Sequence, residues 1–368
     1  MGNWIFYYLS FGSYATVAML DSGAVLADLL AEIPTGALTD LIGKKKALIL
    51  AFASAGIGNI LMGTSNSLWM LAISLWLFVC AGGAFYSGTM EALVYDSLKA
   101  TKDEDLYDRK IGGINATKLW SMAICSVIGG YAYYIYPGLP LILNGAVTLV
   151  GLVACFFLTE PVIDSEKYSW SSFFKQNTLG IKSLFSGTYM RKLSVFLIAA
   201  GAMSIVIMNI LDDLLAVEWG YSPIGISYLF AGVCLVAGFA SMYLPRMKIR
   251  LNQRLILIVS MILTAVTLLL SPIVGMVLGG ALLLLRVVME VFFDNATSVM
   301  VNMNIESKVR ATTLSSLNLL RCIPYALGGS FIGGAVLLAG SARNFALWFG
   351  LVLLIVTVGL GTRIERKV

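Results

Sequence analysis

The chain has 368 residues, 59% of them hydrophobic and 12% charged, with a formal net charge of +5 and no histidine. Soluble domains run near half apolar and a quarter charged, so a mean hydropathy of +0.88 places most of this chain in a bilayer. The missing histidine excludes imidazole metal sites, Ser-His and Cys-His nucleophile pairs, and histidine proton relays.

A membrane-crossing helix needs about 20 largely apolar residues. Laid along the chain, that template predicts eleven spans, near 14–36, 47–64, 67–95, 111–135, 138–158, 193–217, 222–244, 254–271, 273–299, 311–338 and 343–362. An apolar stub, Met1–Tyr8, precedes them and is counted here as the first helix. Eight residues at ~1.5 Å each reach about 12 Å, under half of a hydrocarbon core about 30 Å thick, so the stub cannot span alone.

Basic residues mark the two sides. Of the 25 lysines and arginines, all but Lys118, Arg286, Arg321 and Arg343 fall in alternate connections and at the C-terminus. Lys44–Lys46 begin this series and Arg363, Arg366 and Lys367 end it. The positive-inside rule puts that side, and the C-terminus, in the cytoplasm. The longest connection, about 159–192, is polar and lies on the same side. Within it, Trp170–Met190 mixes Trp, Phe and Leu with Lys, which suits either an interfacial amphipathic helix or a solvated linker. The expected organisation is an N-terminal bundle over 1–160, a linker over 161–192 and a C-terminal bundle over 193–368. All five cysteines lie inside predicted spans, where packing rather than disulfide formation is expected. The N-terminal stub has neither a basic region nor a cleavage site of the kind a signal peptide carries.

The first basic connection reads Glu32-Ile-Pro-Thr-Gly36-Ala-Leu-Thr-Asp40-Leu-Ile-Gly43-Lys44-Lys45-Lys46. Gly36 permits close helix approach, Gly43 a tight turn, and Asp40 a bond to a helix N-terminus or a cation. The stretch resembles the loop signature of the major facilitator superfamily, Gly-x-Leu-x-Asp-x-x-Gly-Arg/Lys-Lys/Arg. Phe85–Asp96 is similar to the fourth helix of bacterial efflux-type members, Arg310–Ser315 to the start of their eleventh, and Thr159-Glu160-Pro161 to the exit from their sixth. The resemblance implies an all-α fold of two six-helix bundles, represented here by eleven full spans and the stub. It also implies a conformational latch carried by Gly36, Asp40, Gly43, Lys44 and Lys45, with lysine at Lys44 where the family often has arginine. One helix is then incomplete. From Leu193 to Arg246, the second-half counterpart of the signature, is 53 residues, against 39 from Met1 to Asp40. The shortfall of 14 is expected to be the inner part of the first helix.

Charges inside a bilayer cost about 2.5–3.5 kcal/mol each on insertion scales, which makes them functional candidates. The intramembrane carboxylates are Asp21, Asp28, Glu32, Glu91, Asp212, Asp213, Glu290 and Asp294; the cations are Lys118, Arg286 and Arg321. Packing partners cannot neutralise all of these acids. Low dielectric disfavours charge, so a carboxylate without a partner is suited to taking up and releasing a proton. Arg286 lies about 20 Å along the tenth helix, near the midplane, with Glu290 and Asp294 at i+4 and i+8 on nearly the same face. Tenth helices line the cavity in the resembling family. Arg286, Glu290, Asp294, Asp28, Glu32, Glu91 and Arg321 are therefore the candidate substrate and proton site. An Arg286–Glu290 pair that only fixes packing is the alternative for two of these residues, and Glu91 with Lys118 is a second candidate structural pair. Asp212 and Asp213 are a candidate outer gate or residues exposed in an outer vestibule.

The leading functional expectation is a proton-coupled secondary transporter exporting small amphipathic compounds from the plasma membrane. It would act as a monomer, with no cofactor, metal or nucleic acid. Two departures leave symport of a sugar, nutrient or organic anion open, with Arg286 and Arg321 as anion-binding cations. Cys125–Gly130 lacks the Gly-Pro of the family's antiporter motif, and Leu75–Gly83 carries no arginine. A non-transporting sensor is the third reading. An enzyme is not expected, because the zinc-protease, Gly-x-Gly-Asp and Gly-x-Ser-x-Gly signatures are absent.

Overall fold

The computed structural model describes residues 3–86, 89–103, 106–159, 178–243, 252–305 and 310–364, and every regular element among them is helical. In chain order the helices are α1 (Trp4–Leu9), α2 (Tyr14–Ile42), α3 (Lys44–Gly63) and α4 (Leu68–Thr101), followed by α5 (Tyr107–Ile135) and α6 (Leu139–Phe156). The second set is α7 (Gly187–Glu218), α8 (Pro223–Tyr243), α9 (Gln253–Leu269), α10 (Met276–Asn304), α11 (Arg310–Leu338) and α12 (Ala342–Gly361). Each expected span coincides with a helix. Among the described residues, nine are long and apolar enough to cross a membrane; Pro223–Phe239 and Gln253–Leu269 are shorter apolar helices.

Several helices outrun the apolar stretch that predicts them. α2 continues through Pro34 to Ile42, and α10 reaches Asn304. Once a helix has formed, polar residues extend it at little cost because its backbone groups are already paired. The helical stretch at 178–184 lies in the expected linker; its remainder up to 177, and the signature counterpart Pro245–Arg250, fall outside the described residues. Two helices contain π-turns, Leu77–Gly83 in α4 and Ile207–Leu211 in α7.

The chain forms two compact units. The first comprises Met1–Phe11, Gly23–Trp170 and Pro223–Met247, so it takes in α8. Small residues bring its helices together: a Cβ added to Gly145 of α6 would lie 2.6 Å from the Gly56 carbonyl of α3, and Asn144 donates to Asn59 nearby at 3.1 Å. α5 and α8 run antiparallel, with Ser126 donating to the Ser227 carbonyl at 3.0 Å and the Tyr131 and Tyr228 hydroxyls 2.8 Å apart. The stub α1 docks here, its Tyr7 hydroxyl donating to the Met62 carbonyl at 2.7 Å.

The second unit comprises Gly12–Ser22, Ser171–Ser222 and Lys248–Val368, so it takes in the first two turns of α2. Those turns lie against α11. A Cβ on Gly333 would fall 2.6 Å from Ala15 Cα, and the Tyr325 hydroxyl donates to Asp21 at 2.5 Å. Elsewhere Gly279 of α10 makes room for Trp219, whose indole N–H reaches the Ser271 carbonyl at 3.2 Å. Glu218 accepts from the Ala342 and Arg343 amides, at 2.6 and 3.0 Å, which holds the start of α12 to the end of α7.

Candidate functional site

α10 carries Arg286, Glu290 and Asp294 one turn apart, but the second unit divides them into two charge groups. The first is a closed ion pair. Arg286 is 1% exposed and donates from Nε to Asp212 Oδ1 at 2.7 Å, with its Nη2 2.5 Å from the same oxygen. Nη1 reaches Thr267 of α9 at 3.4 Å, and the guanidinium lies 5.8 Å from the Trp219 ring centroid. Such a pair holds only because the hydrogen bonds and the aromatic face offset the loss of water. Asp212 Oδ2 is buried with no hydrogen-bond partner among the described residues.

The second group is open. Arg321 of α11 donates from Nη1 to Asp294 Oδ1 at 3.0 Å and places Nη2 3.7 Å from Glu290 Oε1. Its guanidinium sits 5.3 Å from the Phe293 ring centroid. Ser204 of α7 donates to the other Glu290 oxygen. Gly201, one turn earlier, has no Cβ to collide with the Arg321 guanidinium. Two carboxylates thus share one cation, and they differ in access: the Asp294 side chain is 53% exposed, that of Glu290 16%. The cluster carries a surplus negative charge when all its members are ionised, with Asp294 as its accessible edge.

Arg286 therefore pairs with Asp212, 74 residues away, and not with Glu290 on its own helix. Asp212 is buried in that pair rather than exposed, and Asp213 is half-buried beside it. In the first unit Asp28 faces α4, its Oδ1 3.4 Å from where a Cβ on Gly83 would sit, and Glu32 follows one turn on, exposed. Glu91 and Lys118 are both exposed, and no ion pair joins them. At the loop signature, Gly43 has φ 92°, the left-handed conformation that turns α2 into α3 within one residue. Lys44 pairs with Asp96 of α4, and Lys45 donates to the Phe156 carbonyl at 2.8 Å. The surroundings of Gly36 and the side chain of Asp40 lie outside what is described.

Charge alone singles out the ionised members of these groups. Ser204, Thr267, Trp219 and Tyr325 bind them and are not legible that way; Ser204 and Thr267 leave only the signal of a small polar residue inside an apolar run, Trp219 and Tyr325 that of an aromatic.

Long apolar helices packed through small residues around buried ion pairs define a multi-pass membrane protein. The sequence pattern of the Major Facilitator Superfamily matches residues 2–211, and the chain belongs to that superfamily. It is 25% identical over 162 residues to the class D tetracycline resistance protein of Salmonella ordonez, covering 44% of this chain and 38% of that protein. It is 29% identical over 121 residues to the vacuolar membrane amino acid uptake transporter fnx2 of Schizosaccharomyces pombe, covering 33% of this chain and 20% of that protein. The matches thus span well under half of either relative. The fold is similar to the crystal structure of the nucleoside transporter NupG, with a TM-score of 0.71, 14% identity and coverage of 100% of this chain and 94% of that one. A transporter of the POT family in complex with a thioalcohol-conjugated peptide gives 0.72 at 13% identity, covering 96% and 89%.

Proposed function

We propose that the chain is a secondary transporter working by alternating access, in which a proton and a small amphipathic, cationic substrate compete for the cluster of Glu290, Asp294 and Arg321. The observation that carries this reading is the shared cation: one arginine between two carboxylates, one of them accessible. An intramembrane acid that is exposed is expected to face a water-filled cavity, where protons and substrate reach it. A substrate cation can replace the proton without leaving a net charge unpaired in low dielectric. Outward movement of the substrate against an inward proton follows from this exchange, and similarity to a tetracycline resistance protein supports it. Anion symport finds less support, because Asp212 offsets the charge of Arg286 and two acids that of Arg321. Asp28 and Glu32, one turn apart on α2, are proposed as a separate proton-accepting pair. The basic connections and the C-terminus face the cytoplasm, the bundles 1–160 and 193–368 act as the moving bodies, and the protein works as a monomer in the plasma membrane.

The test is proton flux in proteoliposomes containing a pH dye, driven by gradients of ethidium, a sugar or an organic anion. Antiport predicts proton movement opposite to ethidium, lost in Glu290→Gln and Asp294→Asn. Proton movement alongside the sugar or anion would reverse the reading.

A further inference from the structure

α7 grips the ionised face of α10 at two points. Ser204 donates to Glu290, and Asp212 takes Arg286. The two side chains are eight residues apart, and a regular α-helix turns about 100° per residue, so they would stand about 80° apart around the axis. The π-turn at Ile207–Leu211, in which the Asp212 amide bonds to the Ile207 carbonyl, absorbs the rotation of about one residue. Ser204 and Asp212 then lie within about 20° of each other, both facing α10. Without the turn, α7 could hold only one of its two partners at a time. Asn209, inside the turn, donates its side chain to the Ile205 carbonyl at 3.0 Å, which leaves that carbonyl a partner while the backbone changes register.

We infer that Ser204 is a positioning residue for ionised Glu290, and that the π-turn of α7 is the switch that presents it and withdraws it. The inference rests on Glu290 being the coupling carboxylate. The Asp212–Arg286 contact is a charge pair in which two guanidinium nitrogens meet one oxygen, so it is the fixed anchor. The Ser204 contact is a single bond to a charged acceptor and is the one that releases. When a proton binds Glu290, the oxygen that accepts from Ser204 loses most of its charge. The turn relaxes to α-helix, and the stretch before it rotates by about 100°, carrying Ser204 away. The other charged groups facing Glu290 are Arg321 from α11, Asp294 one turn on along α10, and Asp212 from α7; Arg286, one turn back, is turned to Asp212.

Deleting Met208 separates the register from the contacts. With Ser204 and Asp212 then seven residues apart, a plain α-helix places both on the α10 face, with no turn left to relax. Hydrogen–deuterium exchange of the full chain in lipid nanodiscs, without substrate, reads the switch independently of any transport assignment. The expected result is that amides 203–213 exchange at least about tenfold more slowly in the deletion variant than in the parent chain. In Ser204→Ala, exchange over 203–211 should rise at least about threefold while 214–218, beyond the anchor, stays unchanged; Ser204→Thr should restore the parent rate. Equal exchange in the deletion variant and the parent would overturn the inference, as would a deletion variant that fails to fold. So would a Ser204→Ala effect spread evenly along α7. Absence of ethidium–proton antiport in the parent chain, with these exchange changes intact, would instead count against the proposed function alone.

Discussion

Replacing Arg286 by methionine is the sharpest test of how the second unit is held together. The guanidinium is 1% exposed and is the only cation paired with Asp212 among the described residues. Arg286→Met keeps an unbranched apolar stem but strands the Asp212 carboxylate, whose Oδ2 already has no hydrogen-bond partner there. Breaking a buried pair from one side destabilises by about 3–5 kcal/mol, whereas replacing both members by apolar side chains is close to neutral. Thr267 and Trp219 lose a weak hydrogen bond and a cation–π contact, which places the expected value in the upper half of that range. Reversible unfolding in mixed micelles, titrated with dodecyl sulfate and followed by tryptophan fluorescence, measures it. Arg286→Met should lose about 4 kcal/mol, and Arg286→Met with Asp212→Leu should recover to within about 1 kcal/mol of the parent. A single variant within about 1 kcal/mol of the parent would show that the pair does not hold α7 to α10. A double variant as unstable as the single one would show that stranded charge is not the cause.

The other predictions use the same titration. Tyr325→Phe removes the hydroxyl that donates to Asp21 and should lose about 1.5–3 kcal/mol; an unchanged midpoint would mean that Asp21 is satisfied without it. Gly333→Leu forces a side chain into Ala15 where α2 meets α11 and should lose at least about 1–3 kcal/mol. Gly334→Ala, one residue on with nothing within 4 Å of its added Cβ, should be neutral or stabilise by up to about 1 kcal/mol. Equal effects at the two glycines would contradict the packing described for α11.

The helices were legible because an apolar run of about 20 residues has few alternatives in a bilayer, and the loop signature placed Gly43 at its turn. The charges inside the spans were legible too, since each carries an insertion cost. Their partners were not. Spacing along α10 offers Glu290 to Arg286 as an i+4 neighbour, yet the guanidinium turns across to Asp212 on α7. That choice depends on the phase of α7, which the π-turn resets, and Ile207-Met-Asn-Ile-Leu211 reads like any apolar helical segment. Nor does the surplus of acids tell which of them have partners: Asp212 and Asp21 do, while Asp294 keeps an accessible edge.

The central claim is that substrate cation and proton exchange at one cluster, and proton release on binding measures it directly. Purified protein in weakly buffered detergent is mixed with tetraphenylphosphonium, and the released protons are counted with a pH indicator. The account predicts about one proton per chain at saturation, reduced to near zero in Glu290→Gln with Asp294→Asn. Binding without proton release, or release undiminished in that double variant, would contradict it.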